Sequence, residues 1–271
     1  MDVLFTEKTL TREGCTLHYW VSRREGRPWV LLLHGAGTDY HMFDGQYPAL
    51  ADHYNLLTMD IRGAGLSRPM GEPLTIGRMV DDTLAVLDQE AIKAVTIIGH
   101  SLGGNLAQEI VYRHPERANA LVFIDCTCNT MKLTALEKFA VWCSPAIFAV
   151  YPEKTLIRQS AAYSALTAGA QQYLLQALGT VGKKDFMRIM YVGTSECLHY
   201  DETFRLGKPT LMLCGDQDGT GNIRKCMPLW ANREPQCEFH WIKDAGHCAH
   251  MDRPEVVNGL LVDFLARKLP A

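Results

Sequence analysis

Short, continuously apolar runs alternate with segments of helical periodicity along most of this chain of 271 residues. Runs such as WVLLL (29–33) and ALVFI (120–124) have the length of a strand and are apolar at every position, which is typical of strands buried on both faces of a sheet. Between such runs, residues 102–113 repeat their apolar side chains at intervals of three and four, as an amphipathic helix does. The alternation predicts the α/β class, a mostly parallel central sheet with helices on both faces.

Other segments add strands and helices to this framework. The alternating sequence TLHYWV (16–21) predicts an early antiparallel strand that pairs with the segment before it. Residues 76–87 have helical spacing, with Asp81 and Asp82 on the side opposite the apolar face, and residues 256–265 predict a closing amphipathic helix. Further buried strands are predicted from the runs YNLLTMD, AVTIIG, PTLMLCG and CEFHWI.

Residues 128–206 interrupt the alternation. This stretch contains no clear strand-like run, but it has many helix-forming residues and large apolar side chains, among them Phe148 and Phe186. We therefore predict a helical cap inserted into an α/β core that consists of residues 1–127 and 207–271. The aromatic and Met-rich content favours an apolar substrate, although most of these side chains are expected simply to pack the cap onto the core.

Charge and cysteine content narrow the classes of partner and compartment. A net charge of -3 gives no electrostatic reason to expect nucleic acid or an acidic membrane. The most apolar segment, residues 139–151, is shorter than the roughly 20 residues that a membrane span needs. The nine cysteines include no CxxC pair, and the N-terminus has no signal-like apolar run. These two observations predict reduced thiols and a cytoplasmic protein. The sequence does not indicate an oligomeric state.

The segment IIGHSLGGN (97–105) places a serine between a predicted strand and a predicted helix. Its central residues, GHSLG, fit the pattern G-x-S-x-G, in which a sharp turn exposes a nucleophilic serine at the end of a strand. The flanking glycines would let the strand and the helix approach each other without a clash between Cβ atoms. The pentapeptide alone is equally compatible with an ordinary glycine-rich turn, so Ser101 is a candidate nucleophile that needs partners.

A serine nucleophile needs a base, and ten histidines are available. We favour His247, because it follows the last predicted strand and precedes the closing helix, and can therefore reach the end of the sheet where Ser101 emerges. His250, three residues further on, is the alternative. His100 adjoins the serine but would point away from it in a tight turn, so we expect it to be structural.

The base in turn needs a carboxylate that fixes its tautomer. The loop LCGDQDGTGN offers Asp216 and Asp218 after a buried strand, and we favour Asp218. Asp125, at the end of another strand, is a third and less favoured candidate. The order Ser101, Asp218, His247 along the chain is the order of α/β-hydrolases and differs from that of other serine-triad folds.

Backbone amides are the expected donors to an oxyanion. The N–H of Leu102 directly follows the nucleophile, and a second donor should come from the HGAG loop after the strand WVLLL, where Ala36 is favoured. His34 in that loop is expected to brace it rather than to take part in catalysis.

Five blocks of the sequence together resemble the α/β-hydrolase-fold superfamily over nearly the full chain. They are LLLHGAGTDYHMFDGQ, LTMDIRGAGLSRP, IIGHSLGGNLAQEIVYRHPERANALVFID, LCGDQDG and AGHCAHMDRPEVVNGLLVDFL, in the family's order. The resemblance implies Ser101 as nucleophile, His247 as base, Asp218 as acid, and Ala36 and Leu102 as oxyanion donors. The acid loop continues with GTGN, where the family often has a proline, so Asp216 stays open as an alternative.

These residues predict a serine hydrolase that cleaves a small to medium, largely apolar ester or lactone through an acyl-enzyme, with no metal or organic cofactor. The same residues are compatible with a carbon–carbon bond hydrolase, a thioesterase or a perhydrolase, and the fold does not choose among them. A hydrolase-like ligand receptor with little turnover is the alternative of another class. The expected partner is a small-molecule substrate.

Overall fold

Eight strands form one sheet at the centre of the computed structural model, which describes residues 4–71 and 73–269. The strands are β1 (Thr6–Arg12), β2 (Cys15–Ser22), β3 (Trp29–Leu33), β4 (Asn55–Met59), β5 (Val95–His100), β6 (Ala118–Ile124), β7 (Thr210–Gly215) and β8 (Cys237–Ile242). Their order across the sheet is β1-β2-β4-β3-β5-β6-β7-β8. β2 is antiparallel to β1 and to β4, and all other neighbours are parallel. The predicted fold class is confirmed, and so is the early antiparallel pair.

Helices cover both faces of this sheet and also form a region inserted between two of its strands. They are α1 (Tyr47–Leu50), α2 (Ile76–Gln89), α3 (Leu102–Arg113), α4 (Ala135–Val150), α5 (Glu153–Ser164), α6 (Ala168–Val181), α7 (Lys183–Tyr191), α8 (Ile223–Arg233), α9 (Ala249–Asp252) and α10 (Pro254–Lys268). Successive side chains of β3 point to opposite faces: Leu31 packs into the core with α2, α3 and α8, and Leu32 packs into the core with α1 and α10. Burial on both faces explains why the central strands are apolar throughout.

Helices α4 to α7 lie between β6 and β7 and form the inserted region, which is followed by a π-helical turn, Val192–Glu196. They fall inside the stretch predicted to be a helical cap. Thr134 starts α4 through a capping box with Glu137, in which each side chain accepts a hydrogen bond from the other residue's backbone N–H. The two ends of the insertion are joined where the N–H of His199 donates to the carbonyl of Asn129, at 2.9 Å.

The expectation for β8 as a buried strand is wrong. Its residues are half-buried or exposed apart from the last, and 48% of Trp241 is accessible to solvent. The reason is that β8 is the outermost strand of the sheet, so one edge and part of one face have no neighbour. The pattern of apolar letters alone does not distinguish an edge strand from a central one.

The expectation that Asp82 lies on the polar side of α2 is also wrong. Asp82 is buried, and its carboxylate accepts hydrogen bonds from Nε and Nη2 of Arg62 at 2.6 and 2.9 Å. Arg62 comes from the loop after β4 and is itself buried. The helix therefore buries an ion pair at a position where its own periodicity predicts solvent.

Within the described ranges, no helix combines the length and the apolar character needed to cross a membrane.

Candidate active site

Ser101 sits at a sharp bend between β5 and α3. Its backbone has φ 50° and ψ -117°, a left-handed conformation that is unfavourable for a residue with a side chain. The glycines on either side permit the bend. A Cβ atom on Gly99 would lie 2.5 Å from the carbonyl oxygen of Gly103, and one on Gly103 would overlap the carbonyl oxygen of Leu33. The predicted strand–turn–helix around Ser101 is therefore present in the structure.

Ser101, His247 and Asp218 form a continuous series of hydrogen bonds. The Oγ of Ser101 lies 3.0 Å from Nε2 of His247, and Nδ1 of His247 lies 3.0 Å from Oδ2 of Asp218. A carboxylate only accepts hydrogen bonds, so the Nδ1 atom carries the proton and the Nε2 atom accepts from the serine. The N–H of Thr220 donates to the other Asp218 oxygen at 2.7 Å, which holds the carboxylate in place.

The structure places the alternative acids elsewhere. Asp216 is contacted by the backbone N–H of Ala245 at 3.4 Å. Asp125 accepts hydrogen bonds from the N–H groups of Gly215 and Ala249, at 2.7 and 3.0 Å. Burial and the nearby charge of Asp218 raise the pKa of Asp125 well above its usual range. Asp125 thus connects the segment that carries Asp218 to the segment that carries His247.

The alternative base, His250, is buried beside two other rings. Its ring centre lies 5.0 Å from that of Phe43 and 4.8 Å from that of His100. Burial lowers the pKa of His250 to about 3, so the ring stays neutral at ordinary pH. The Nε2 atom of His100 lies 2.8 Å from the carbonyl oxygen of His247. The ring centre of His100 lies 4.9 Å from that of His247, and burial lowers the pKa of His100 well below its usual range, so a neutral, buried ring lies beside His247.

The loop after β3 passes directly beside the serine. A Cβ atom on Gly35 would lie 3.5 Å from Cβ of Ser101 and 2.6 Å from Nδ1 of His100, so only glycine lets the loop come this close. His34 holds the loop: its Nε2 accepts from the N–H of Ile61 at 2.9 Å, and its Nδ1 lies 2.7 Å from the carbonyl oxygen of Gly35. Ala36 borders both of the cavities that contain Ser101.

Two cavities of about 630 and 670 Å³ meet at Ser101, under the inserted helices. Their walls are mostly apolar and include side chains that the sequence showed only as members of a long apolar stretch. In the first cavity these are Leu174, Phe148, Phe186 and Met190, and Met190 also lines the second. No local pattern marks them, because which side of a cap helix faces Ser101 depends on how the helices pack.

Asp252 connects the inserted region to the loop that carries His247. Its carboxylate accepts hydrogen bonds from the N–H groups of Leu166 and Thr167, in the turn between α5 and α6, and from the N–H of Gly246, each at 2.9 Å. The N–H of Cys248 adds a bond to the carbonyl of Ser164 at 2.8 Å. The turn between α5 and α6 is thereby held against the loop that carries His247. Sequence reasoning missed this residue, whose only local signal is an acidic side chain before Arg-Pro.

Comparison with known proteins agrees with this architecture. A family model described as the alpha/beta hydrolase fold matches residues 28–254. The poly(3-hydroxyalkanoate) depolymerase of Ectopseudomonas oleovorans is 26% identical over an alignment of 254 residues, which covers 90% of this chain and 88% of that protein.

Two solved structures show the same fold. The enol-lactonase from Burkholderia xenovorans LB400 has a TM-score of 0.80 at 20% identity, covering 96% of this chain and 100% of that one. The 2-hydroxy-6-oxo-6-phenylhexa-2,4-dienoate hydrolase from Rhodococcus sp. strain RHA1 has a TM-score of 0.81 at 20% identity, covering 97% of this chain and 99% of that one. At these identities the likeness concerns the fold alone.

Proposed function

Because this chain belongs to the alpha/beta hydrolase fold family, we propose that it is a serine hydrolase that cleaves the ester bond of a small to medium, largely apolar carboxylate ester or lactone. The observation that carries the proposal is the series of hydrogen bonds from Ser101 through His247 to Asp218, with both contacts to the histidine at 3.0 Å. This arrangement supplies a nucleophile, a base and a group that orients the base.

In the first step, Nε2 of His247 takes the proton of Ser101 as Oγ attacks the ester carbonyl. A bond forms between Oγ and the carbonyl carbon, and the carbonyl oxygen becomes an oxyanion that accepts hydrogen bonds from the N–H groups of Ala36 and Leu102. Asp218 stabilises the imidazolium that results. The bond to the leaving oxygen then breaks, and His247 returns the proton to that oxygen.

In the second step, water replaces the alcohol. His247 takes a proton from the water as its oxygen attacks the acyl-enzyme, and the same histidine then protonates Oγ of Ser101 as the carboxylic acid leaves. The neutral ring of His100, whose centre lies 4.9 Å from that of His247, favours this cycle, since a charged neighbour would oppose the imidazolium.

The choice of an ester-type bond has two further supports. The E. oleovorans depolymerase and the B. xenovorans enol-lactonase carry names that refer to a polyester and a lactone. The cavities beside Ser101 present mostly apolar side chains, which suit an uncharged ester better than a highly charged substrate.

All nine cysteines are free thiols, which supports a reducing compartment such as the cytoplasm.

The test compares the wild-type protein with Ser101→Ala and with a control variant, Ser144→Ala, which removes a hydroxyl on α4. We expect p-nitrophenyl butyrate turnover and labelling by a fluorophosphonate to be retained in the control. Both should be lost in Ser101→Ala, with turnover falling by at least about 10⁴-fold. Equal behaviour of Ser101→Ala and wild type would contradict the proposal. Labelling at Ser101 without turnover of any ester, lactone or thioester would instead indicate a hydrolase-like receptor.

A further inference from the structure

The two cavities border different parts of the catalytic machinery. The cavity of about 630 Å³ is lined by His247 and Cys248, and we name it the histidine chamber. The cavity of about 670 Å³ is lined by Leu102, and we name it the leucine chamber. Ser101 and Met190 line both, so they stand at the boundary between the chambers. A substrate attacked by Ser101 therefore has two directions in which to extend.

We propose that the histidine chamber takes the alcohol group of the substrate and the leucine chamber takes the acyl group. This assignment rests on the proposed function. The leaving oxygen receives its proton from Nε2 of His247, so the alcohol attached to that oxygen must lie on the side of the histidine. The acyl carbon stays bonded to Oγ of Ser101 and extends the other way, past Leu102.

The size and walls of the chambers identify the substrate class. Small-molecule pockets commonly have volumes of about 300–1,000 Å³, and each chamber alone lies in that range. The apolar walls include Met42, Leu178 and Phe186 in the histidine chamber, and Met131, Val141, Leu198 and Leu229 in the leucine chamber. The substrate class is therefore acyclic esters with a sizeable apolar group on each side of the ester bond. A small lactone, whose two ends are joined, would leave much of one chamber empty.

Two matched substitutions test the role of each chamber separately. Thr194 lines the leucine chamber and Ser160 lines the histidine chamber, and both are half-buried small polar residues between β6 and β7. Thr194→Trp should reduce kcat/KM for p-nitrophenyl octanoate relative to p-nitrophenyl acetate by about tenfold or more. Ser160→Trp should leave that ratio unchanged, and should instead reduce kcat/KM for benzyl acetate relative to methyl acetate by a similar factor. Each variant should leave the other variant's ratio unchanged.

The outcomes distinguish this assignment from the proposed function. If turnover depends on Ser101 but the two variants exchange their effects, the chambers are assigned the wrong way round. If both variants change both ratios alike, the division into two chambers is wrong. If no ester is turned over in a Ser101-dependent way, the proposed function itself fails, and the assignment fails with it. Should either tryptophan variant not fold, Ala140→Trp and Ala162→Trp place the same bulk at exposed positions of the leucine and histidine chambers, respectively.

Discussion

Oδ2 of Asp218 lies 3.0 Å from Nδ1 of His247, whereas Asp216, two residues earlier, is contacted by the backbone of Ala245. We therefore expect Asp218→Asn to lower kcat by about 10⁴-fold, because an amide at this position no longer holds the histidine in the required tautomer. Asp216→Asn should change kcat only slightly. Steady-state kinetics with p-nitrophenyl butyrate measure both, and a larger loss for Asp216→Asn would show that the acid is assigned to the wrong residue.

We expect the backbone bend at Ser101 to tolerate no side chain at residue 103, whereas an exposed glycine within a helix should tolerate one. In Gly103→Ala the new Cβ would overlap the carbonyl oxygen of Leu33, so we expect a loss of several kcal/mol in the free energy of unfolding together with a loss of esterase activity. Gly259 is the matched control, since it is exposed in α10 and a Cβ atom there would have no neighbour within 4 Å. Gly259→Ala should be neutral or stabilise by up to about 1 kcal/mol. Urea unfolding of both variants checks this, and similar stability of the two would contradict it.

The buried ion pair of Arg62 and Asp82 can be tested with two matched substitutions on helix α2, at Asp82 and at Asp81. Asp82→Asn leaves a buried guanidinium without its counter-charge, which should cost about 3–5 kcal/mol in the free energy of unfolding. Asp81 is exposed in the same turn of α2, and Asp81→Asn should change stability by less than about 0.5 kcal/mol. Chemical denaturation at pH 7 measures both. An equally small effect for the two variants would mean that the buried pair contributes nothing to folding.

Stability at acid pH should depend on His250. Burial lowers its pKa from the ordinary 6.5 to about 3, so below pH 6.5 the unfolded chain binds a proton that the folded chain does not. The free energy of unfolding therefore decreases as the pH falls from about 6.5 toward 3, by up to about 5 kcal/mol over the whole interval. His250→Phe keeps a ring without a titrating group and should remove this part of the acid destabilisation. Denaturation curves at pH 7 and pH 4.5 test this, and parallel losses for wild type and variant would contradict it.

Local patterns explain why much of the fold and site could be predicted from the sequence. A strand such as β5 is apolar at successive positions because both faces of the sheet are covered, and α3 begins at the residue that the G-x-S-x-G pattern indicates. Ser101, His247 and Asp218 each follow a strand of a parallel sheet, and the ends of such strands meet at one edge. Their proximity in space thus follows from their positions in the chain.

Features that depend on packing between distant segments could not be predicted in this way. Asp82 is buried because Arg62, twenty residues earlier, meets it. The sequence patterns also do not predict helix α8, which contains Pro228 and follows a glycine-containing loop. The side chains that face Ser101 from the inserted region, such as Phe148, belong to an apolar stretch in which many neighbours, including Trp142, face solvent instead.

Because of the contacts of Asp252, we expect the two halves of the inserted region to differ in their tolerance of substitution. The turn between α5 and α6 is bonded to the loop of His247 through Asp252, so we expect substitution of Asp252 to displace that loop. Helix α4 borders both chambers, yet none of its described side chains is buried. We therefore expect substitutions in α4 to alter the chambers while the hydrogen bonds of Ser101, His247 and Asp218 stay intact, which makes this helix a suitable target for directed evolution of the proposed esterase activity.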